Sequence, residues 1–158
     1  KSNNNQSGVT LGYNNTNSSS SNNTNSSSSN NIDSSSSFDE IVGSPNKDTL
    51  RGKNTAVHLK GMGGSDKIIG SKKDDILDGG NGNDVVIGKR GADTYVLSSG
   101  NDKFKGFKLN EGDTVEIDSD IAYTLVQSKK NTLIQHDNGV TTVLKVIKNE
   151  LDSVIEIV

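Results

Sequence analysis

Six aspartates recur in step through the middle of the chain. Asp48, Asp66, Asp75, Asp84, Asp93 and Asp102 are separated by multiples of nine residues, and each stands five residues after a start position. The starts at Gly43, Gly52, Gly61, Gly70, Gly79, Gly88 and Gly106 are glycine, and Leu97 alone breaks the run. Carboxylates at a fixed interval offer either acid–base catalysis or the coordination of a hard cation. The catalytic reading lacks partners. His58 and His136 are far apart in sequence and neither belongs to an H-E-x-x-H pair, so a zinc protease site has no ligands. There is no G-x-S-x-G elbow, and Ser65 in Gly63-Gly64-Ser65 reads as a turn residue. An EF-hand loop begun at Asp75 or Asp78 has no Glu at its twelfth position. Coordination remains. Ca²⁺ takes six to eight oxygens in a flexible arrangement, whereas Mg²⁺ demands a tighter octahedron and keeps its waters.

The carboxylates need elements that bring them together. Two residues beyond the aspartate positions come Leu50, Leu59, Ile68, Leu77, Val86, Tyr95 and Phe104, with Asp113 ending the series. Gly makes up 17 of 158 residues. Chance would put about one Gly on eight starts, so seven in register identify a repeat. In each nonapeptide the first six residues, rich in Gly and Asp, form a tight turn. The last three form a short strand whose middle residue points inward. Two nonapeptides complete a coil of 18 residues, and coils stack at the strand spacing of about 4.8 Å. Asp66, Asp84 and Asp102 then share one column, and Asp75 and Asp93 the other. Two carboxylates about 5 Å apart repel by about 3 kcal/mol at an effective dielectric near 20. Without a cation the coils resist closing. The core is one residue wide per strand, with Tyr95 and Phe104 as caps, so metal binding has to add much of the folding energy.

Gly79-Gly80-Asn81-Gly82-Asn83-Asp84-Val85-Val86-Ile87 matches the G-G-x-G-x-D-U nonapeptide at every defined position. It resembles the RTX, or hemolysin-type, calcium-binding repeats of serralysin-type proteases and repeats-in-toxin cytolysins. Gly88 to Val96 is similar to the last repeats of that family, and Asn110 to Ile117 to the segment that follows them. The resemblance covers roughly residues 40 to 158. It implies an all-β fold, a parallel β-roll with a small antiparallel sheet packed on its end, and Ca²⁺ as the cofactor. It also implies carbonyl ligands from turn positions one to four.

Three pairs of turns are furnished as sites: Gly61–Asp66 with Gly79–Asp84, Gly79–Asp84 with the turn of Gly100 and Asp102, and Gly70–Asp75 with Gly88–Asp93. The expected ligand set is Gly61, Gly64, Asp66, Asp75, Gly79, Gly80, Asn81, Gly82, Asp84, Gly88, Arg90, Gly91, Asp93, Gly100 and Asp102, holding about three ions of the oxygen-ligated class. Departures limit the count. Val57 removes the carboxylate that would pair with Asp75. Lys73 replaces a turn glycine. Pro45 and Asn46 make the Asp48 turn irregular. Glu111 is the expected stand-in below Asp93.

Only 28% of residues are hydrophobic and 4% aromatic, too few for a conventional core. From Asn14 to Ser37 every residue except Ile32 and Asp33 is Ser, Asn or Thr, so residues 1–38 read as a disordered linker. Residues 39–112 read as the roll and 113–158 as a C-terminal β cap. Within the cap, strands are expected over Ala122–Gln127, Asn131–Gln135 and Val140–Ile147, with a hairpin turn at Asn138-Gly139.

The absence of Cys excludes disulfides and thiolate sites. A net charge of -3 argues against nucleic acid, and no apolar run is long enough to span a membrane. The chain starts at Lys1 and reads as the C-terminal part of a longer protein, with any catalytic domain upstream. The leading functional expectation is a secreted, extracellular or cell-surface module that folds on Ca²⁺. The resemblance implies export by type I secretion machinery. The final Asp152-Ser153-Val154-Ile155-Glu156-Ile157-Val158 is similar to the family's terminal signal. The alternative is a surface adhesin whose Lys67, Lys103, Lys105 and Lys108 contact an anionic polysaccharide.

Overall fold

The computed structural model describes residues 39–158; the linker expected over 1–38 lies outside the described residues. Eight short strands follow the nonapeptide period: β1 (Asp39–Val42), β2 (Thr49–Arg51), β3 (Val57–Lys60), β4 (Lys67–Ile69), β5 (Ile76–Asp78), β6 (Val85–Ile87), β7 (Thr94–Val96) and β8 (Lys103–Lys105). Odd and even strands separate into two parallel walls, as a coil of two turns and two strands requires. In one wall Ile41, Leu59, Leu77 and Tyr95 stack in register. In the other Leu50, Ile68, Val86 and Phe104 do so. Leu59, Ile68, Leu77, Val86, Tyr95 and Phe104 are fully buried. Each repeat therefore contributes one inward side chain, and the core is a double file of them.

The C-terminal segment caps the end of the roll, and its antiparallel strands are hydrogen-bonded onto the roll itself. It extends both walls. β9 (Thr114–Ile117) stacks on β7 through Tyr95 and Val115, and β13 (Ile155–Ile157) adds to β9. In the second wall β12 (Gly139–Val143) pairs parallel with β8 through Phe104 and Val143. β11 (Asn131–His136) and β10 (Tyr123–Ser128) continue it as an antiparallel meander. The expected third strand is shorter than the sequence suggested. It ends at Val143, and Lys148–Asp152 forms a short helix, α1, that buries Leu151. The physical reason is edge satisfaction: the last coil's backbone donors and acceptors are paired by β12 and β13 instead of being left bare.

The core thickens toward this end. Tyr95 lies 5.1 Å from Phe104 and 5.2 Å from Phe107, centroid to centroid, in tilted contacts. Its hydroxyl accepts from Gly88 N–H at 2.9 Å and donates to Lys105 O at 3.0 Å. A buried Tyr needs such partners.

Candidate metal centre

The turns stack as the period requires, and each column aspartate is buried. One carboxylate oxygen serves the backbone. In the first column Asp48 N–H donates to Asp66 Oδ1, Asp66 N–H to Asp84 Oδ1 and Asp84 N–H to Asp102 Oδ1, at 2.7, 2.7 and 2.9 Å. In the second column Val57, Asp75 and Asp93 N–H donate likewise to Asp75, Asp93 and Asp113, at 3.0, 3.1 and 3.0 Å. The aspartates are thus side-chain rungs between coils as well as candidate ligands. Sequence reasoning missed that role.

The other oxygen divides the turns into two kinds. Oδ2 of Asp66, Asp84 and Asp93 is buried and has no hydrogen-bond partner. In these three turns the second residue, Met62, Gly80 or Lys89, takes the left-handed conformation, with φ of 76°, 78° and 87°. In two closed turns the second residue is not left-handed and its N–H donates to the carboxylate, Ser44 to Asp48 at 2.7 Å and Ser71 to Asp75 at 2.5 Å; in the expanded last turn the third residue, Lys108, does so to Asp113 at 2.7 Å. Asp102 is intermediate, with weak contacts from Ser98 Oγ at 3.3 Å and Thr141 Oγ1 at 3.5 Å. Leaving a buried charged acceptor without a donor costs about 1–3 kcal/mol or more. Burial accordingly pushes the carboxyl of Asp84 up to about 6 and those of Asp93 and Asp102 up to about 7, and raises Asp66 and Asp113 as well.

Main-chain oxygens close in on the open carboxylates. At Gly61 an added Cβ would lie 2.6 Å from Asp66 Oδ2 and 2.2 Å from Gly79 O, so both oxygens face the same small space. The fourth-position glycines also form a column, with Gly82 pressed on Gly64 O and Gly100 on Gly82 O. A Cβ there would meet these oxygens at 1.5 and 1.7 Å. Among the described residues no three His, Cys, Asp or Glu side chains cluster as metal ligands. Carboxylates in pairs, orphaned and backed by carbonyls, suit the oxygen coordination of Ca²⁺ and not a nitrogen or sulfur metal. The first-column residues fit the ion.

Several expected positions behave differently. Asn81 O accepts from Gly64 N–H at 2.9 Å, and Asn81 N–H donates to Met62 O at 3.0 Å, which takes Asn81 into a bridge between coils. Arg90 is exposed, and Gly91 N–H donates to Glu111 Oε2 at 3.3 Å. Glu111 does not stand below Asp93: Asp113 holds that place, and Glu111 pairs with Lys108 at 2.9 Å. The cause is a two-residue expansion of the last turn at the 3-10 segment Leu109–Glu111, which shifts the spacing from 18 to 20. Lys67 and Lys103 are exposed on the even-strand wall, while Lys108 turns back into the second column. His58 and His136 lie on different walls, on β3 and β11.

Gly139 extends the glycine column. It bridges Gly100, and an added Cβ would meet Gly100 O at 1.9 Å. Its signal was present: Gly64, Gly82, Gly100 and Gly139 each precede an inward residue, Ile68, Val86, Phe104 or Val143, by four.

The model of the RTX calcium-binding nonapeptide repeat matches residues 60–95 in four copies. No curated protein sequence matches the chain. Among solved structures, the extracellular lipase LipA from Serratia marcescens is similar in fold, with a TM-score of 0.63 and 17% identity over 73% of this chain. The match covers 20% of the lipase chain. The four matched copies lie within β3 to β7, around the open turns of Asp66, Asp84 and Asp93, and they make this coil a parallel β-roll of RTX calcium-binding nonapeptide repeats.

Proposed function

We propose that this segment is a calcium-triggered folding module of an exported protein, with its principal sites in the first column. One lies between Gly61–Asp66 and Gly79–Asp84, and the other between Gly79–Asp84 and the turn of Gly100 and Asp102. The observation that carries the reading is the pair of buried, unpartnered oxygens, Asp66 Oδ2 and Asp84 Oδ2, each in a turn whose second residue is left-handed. When bound, the ion supplies the positive charge that these oxygens lack. The protein's own residues do the rest. Gly61, Gly79 and Gly82 bring carbonyls within reach because they carry no Cβ, and the Oδ1 rungs hold each carboxylate in position.

Without the ion the columns repel and the orphaned oxygens destabilise every coil. The chain then stays open and can thread a type I secretion channel, because free calcium inside a cell lies far below the affinity of about 10⁻⁴–10⁻³ M typical of extracellular modules. Outside, binding stabilises the roll in proportion to the logarithm of concentration at each site. β12 and β13 extend the last coil and give folding a place to start, from which repeats add toward Gly43. Among the described residues no helix is long and apolar enough to cross a membrane. Calorimetric titration with calcium tests the reading: two sites are expected, with magnesium inert, and zero or one site would sink it.

A further inference from the structure

The two columns are not equivalent. In the first column the second turn residues are Ser44, Met62, Gly80 and Ser98, none of them charged. In the second column Lys89, the second residue of its turn, and Lys108, the third residue of the expanded turn that starts at Gly106, fold back onto the coil before them. Lys89 Nζ donates to Gly70 O at 2.5 Å. Lys108 Nζ donates to Lys89 O one coil further on, and to Glu111 Oε2 at 2.9 Å. Gly70 O belongs to the pair Gly70–Asp75 with Gly88–Asp93, the third pair whose spacing suits a calcium ion. The partner carboxylate there is already engaged: Asp75 accepts from Ser71 N–H and Oγ and from Val57 N–H. Lys89 is half-buried; burial and the nearby charges of Arg51 and Lys72 hold its ammonium below the usual lysine range, and the carboxylates of Asp75 and Asp93 act in its favour. It holds this place from a left-handed backbone conformation, which is strained for a residue with a Cβ.

We infer that the ammonium of Lys89 is the resident cation of the Gly70–Asp75/Gly88–Asp93 pair, a tethered charge that stands where the repeat would otherwise take calcium. It occupies the carbonyl that an ion would need and places a positive charge near Asp75 and Asp93 without an ion pair to either. Lys108 continues the arrangement toward the C-terminal end. Calcium demand then falls on the first column, and the second column is assembled with charges the chain carries itself. Asp93 Oδ2 remains open, so removing the ammonium would leave Gly70 O and one open carboxylate, a donor set like that of Asp84 and its neighbours.

The inference rests on the calcium reading above, and the test separates the two. The variant is Lys89→Met, which keeps the length of the side chain and removes the charge. A Met is already accommodated at the equivalent position, where Met62 has φ 76°. The control is Lys67→Met, an exposed lysine on β4 outside the turns. Calcium is titrated calorimetrically into the full chain, and the calcium midpoint of folding is read by circular dichroism. The wild type and the control are expected to bind two ions. Lys89→Met is expected to bind three and to need more calcium to reach half folding, because the calcium-free coil has lost its internal cation. A count of two in both wild type and Lys89→Met, with the same midpoint, overturns the inference and leaves the calcium reading standing. A wild-type count of three also overturns it. A count of zero in both proteins sinks both.

Discussion

Asp84 is the aspartate whose loss should cost the roll most, and the structure separates its two jobs. Its Oδ1 accepts Asp66 N–H at 2.7 Å, and its Oδ2 is the open oxygen between the two first-column sites. Asp84→Asn keeps an acceptor for Asp66 and replaces the ligand oxygen by an NH₂ group. Asp84→Ala removes both, and leaves a buried N–H without a partner at a further cost of about 1–3 kcal/mol. A site held at a hundred times its dissociation constant contributes about 2.7 kcal/mol, so losing two removes about 5 kcal/mol. That is comparable to the whole stability of an ordinary small domain, about 5–15 kcal/mol. Asp84→Asn should therefore abolish most of the calcium-dependent rise in melting temperature. Asp48→Asn should leave that rise nearly intact, because Asp48 Oδ2 is held by Ser44 N–H and Oγ, each at 2.7 Å. Thermal unfolding of both variants over a calcium series is the assay. Equal loss of the calcium-dependent shift in the two would refute the assignment of open and closed turns.

Three further outcomes follow from the same geometry. Gly82→Ala should prevent the roll from forming at any calcium concentration, since its Cβ would meet Gly64 O at 1.5 Å and its φ is 138°; a calcium-induced circular dichroism change of wild-type size would contradict this. Asp113→Ala should destabilise the calcium-loaded protein by about 1–3 kcal/mol, as it strips the partner from Asp93 N–H. Glu111→Ala, which removes a solvent-screened ion pair with Lys108, should cost clearly less, and denaturant titrations that reversed the order would refute the 20-residue register. In metal-stripped buffer the folded-state carboxyls of Asp84, near 6, and of Asp93 and Asp102, near 7, lie above their unfolded values. Stability from these groups is then fully present below about pH 4 and lost as pH rises through 6 to 7. Calcium competes with those protons, so the stability gained on adding calcium should shrink as pH falls from 8 to 6; a gain independent of pH would count against buried carboxylate ligands.

The repeat made much of the fold legible. A period of nine with an apolar residue at a fixed place leaves little choice but short strands with one inward side chain, and Leu59, Ile68, Leu77 and Val86 lie where that period puts them. The columns followed from the 18-residue coil. The state of each carboxylate did not, because it depends on the backbone conformation of one turn residue. Ser71 and Lys89 occupy equivalent positions, yet only Lys89 adopts the left-handed bend that leaves its aspartate open. The register failed where it expanded. Counting in nines put Glu111 below Asp93, whereas two extra residues in the 3-10 turn delivered Asp113. Gly139 looked sufficient as a hairpin residue, and its second role as the next member of the glycine column depended on β12 pairing with β8, a contact 39 residues distant in sequence.

Far-UV circular dichroism of the full chain, in excess chelator, in millimolar Mg²⁺ and in millimolar Ca²⁺, tests calcium-triggered folding most directly. Buried, orphaned carboxylates in two stacked turns predict little β signal in chelator or magnesium and a cooperative gain of β structure with calcium. A roll as fully formed in chelator as in calcium would contradict it.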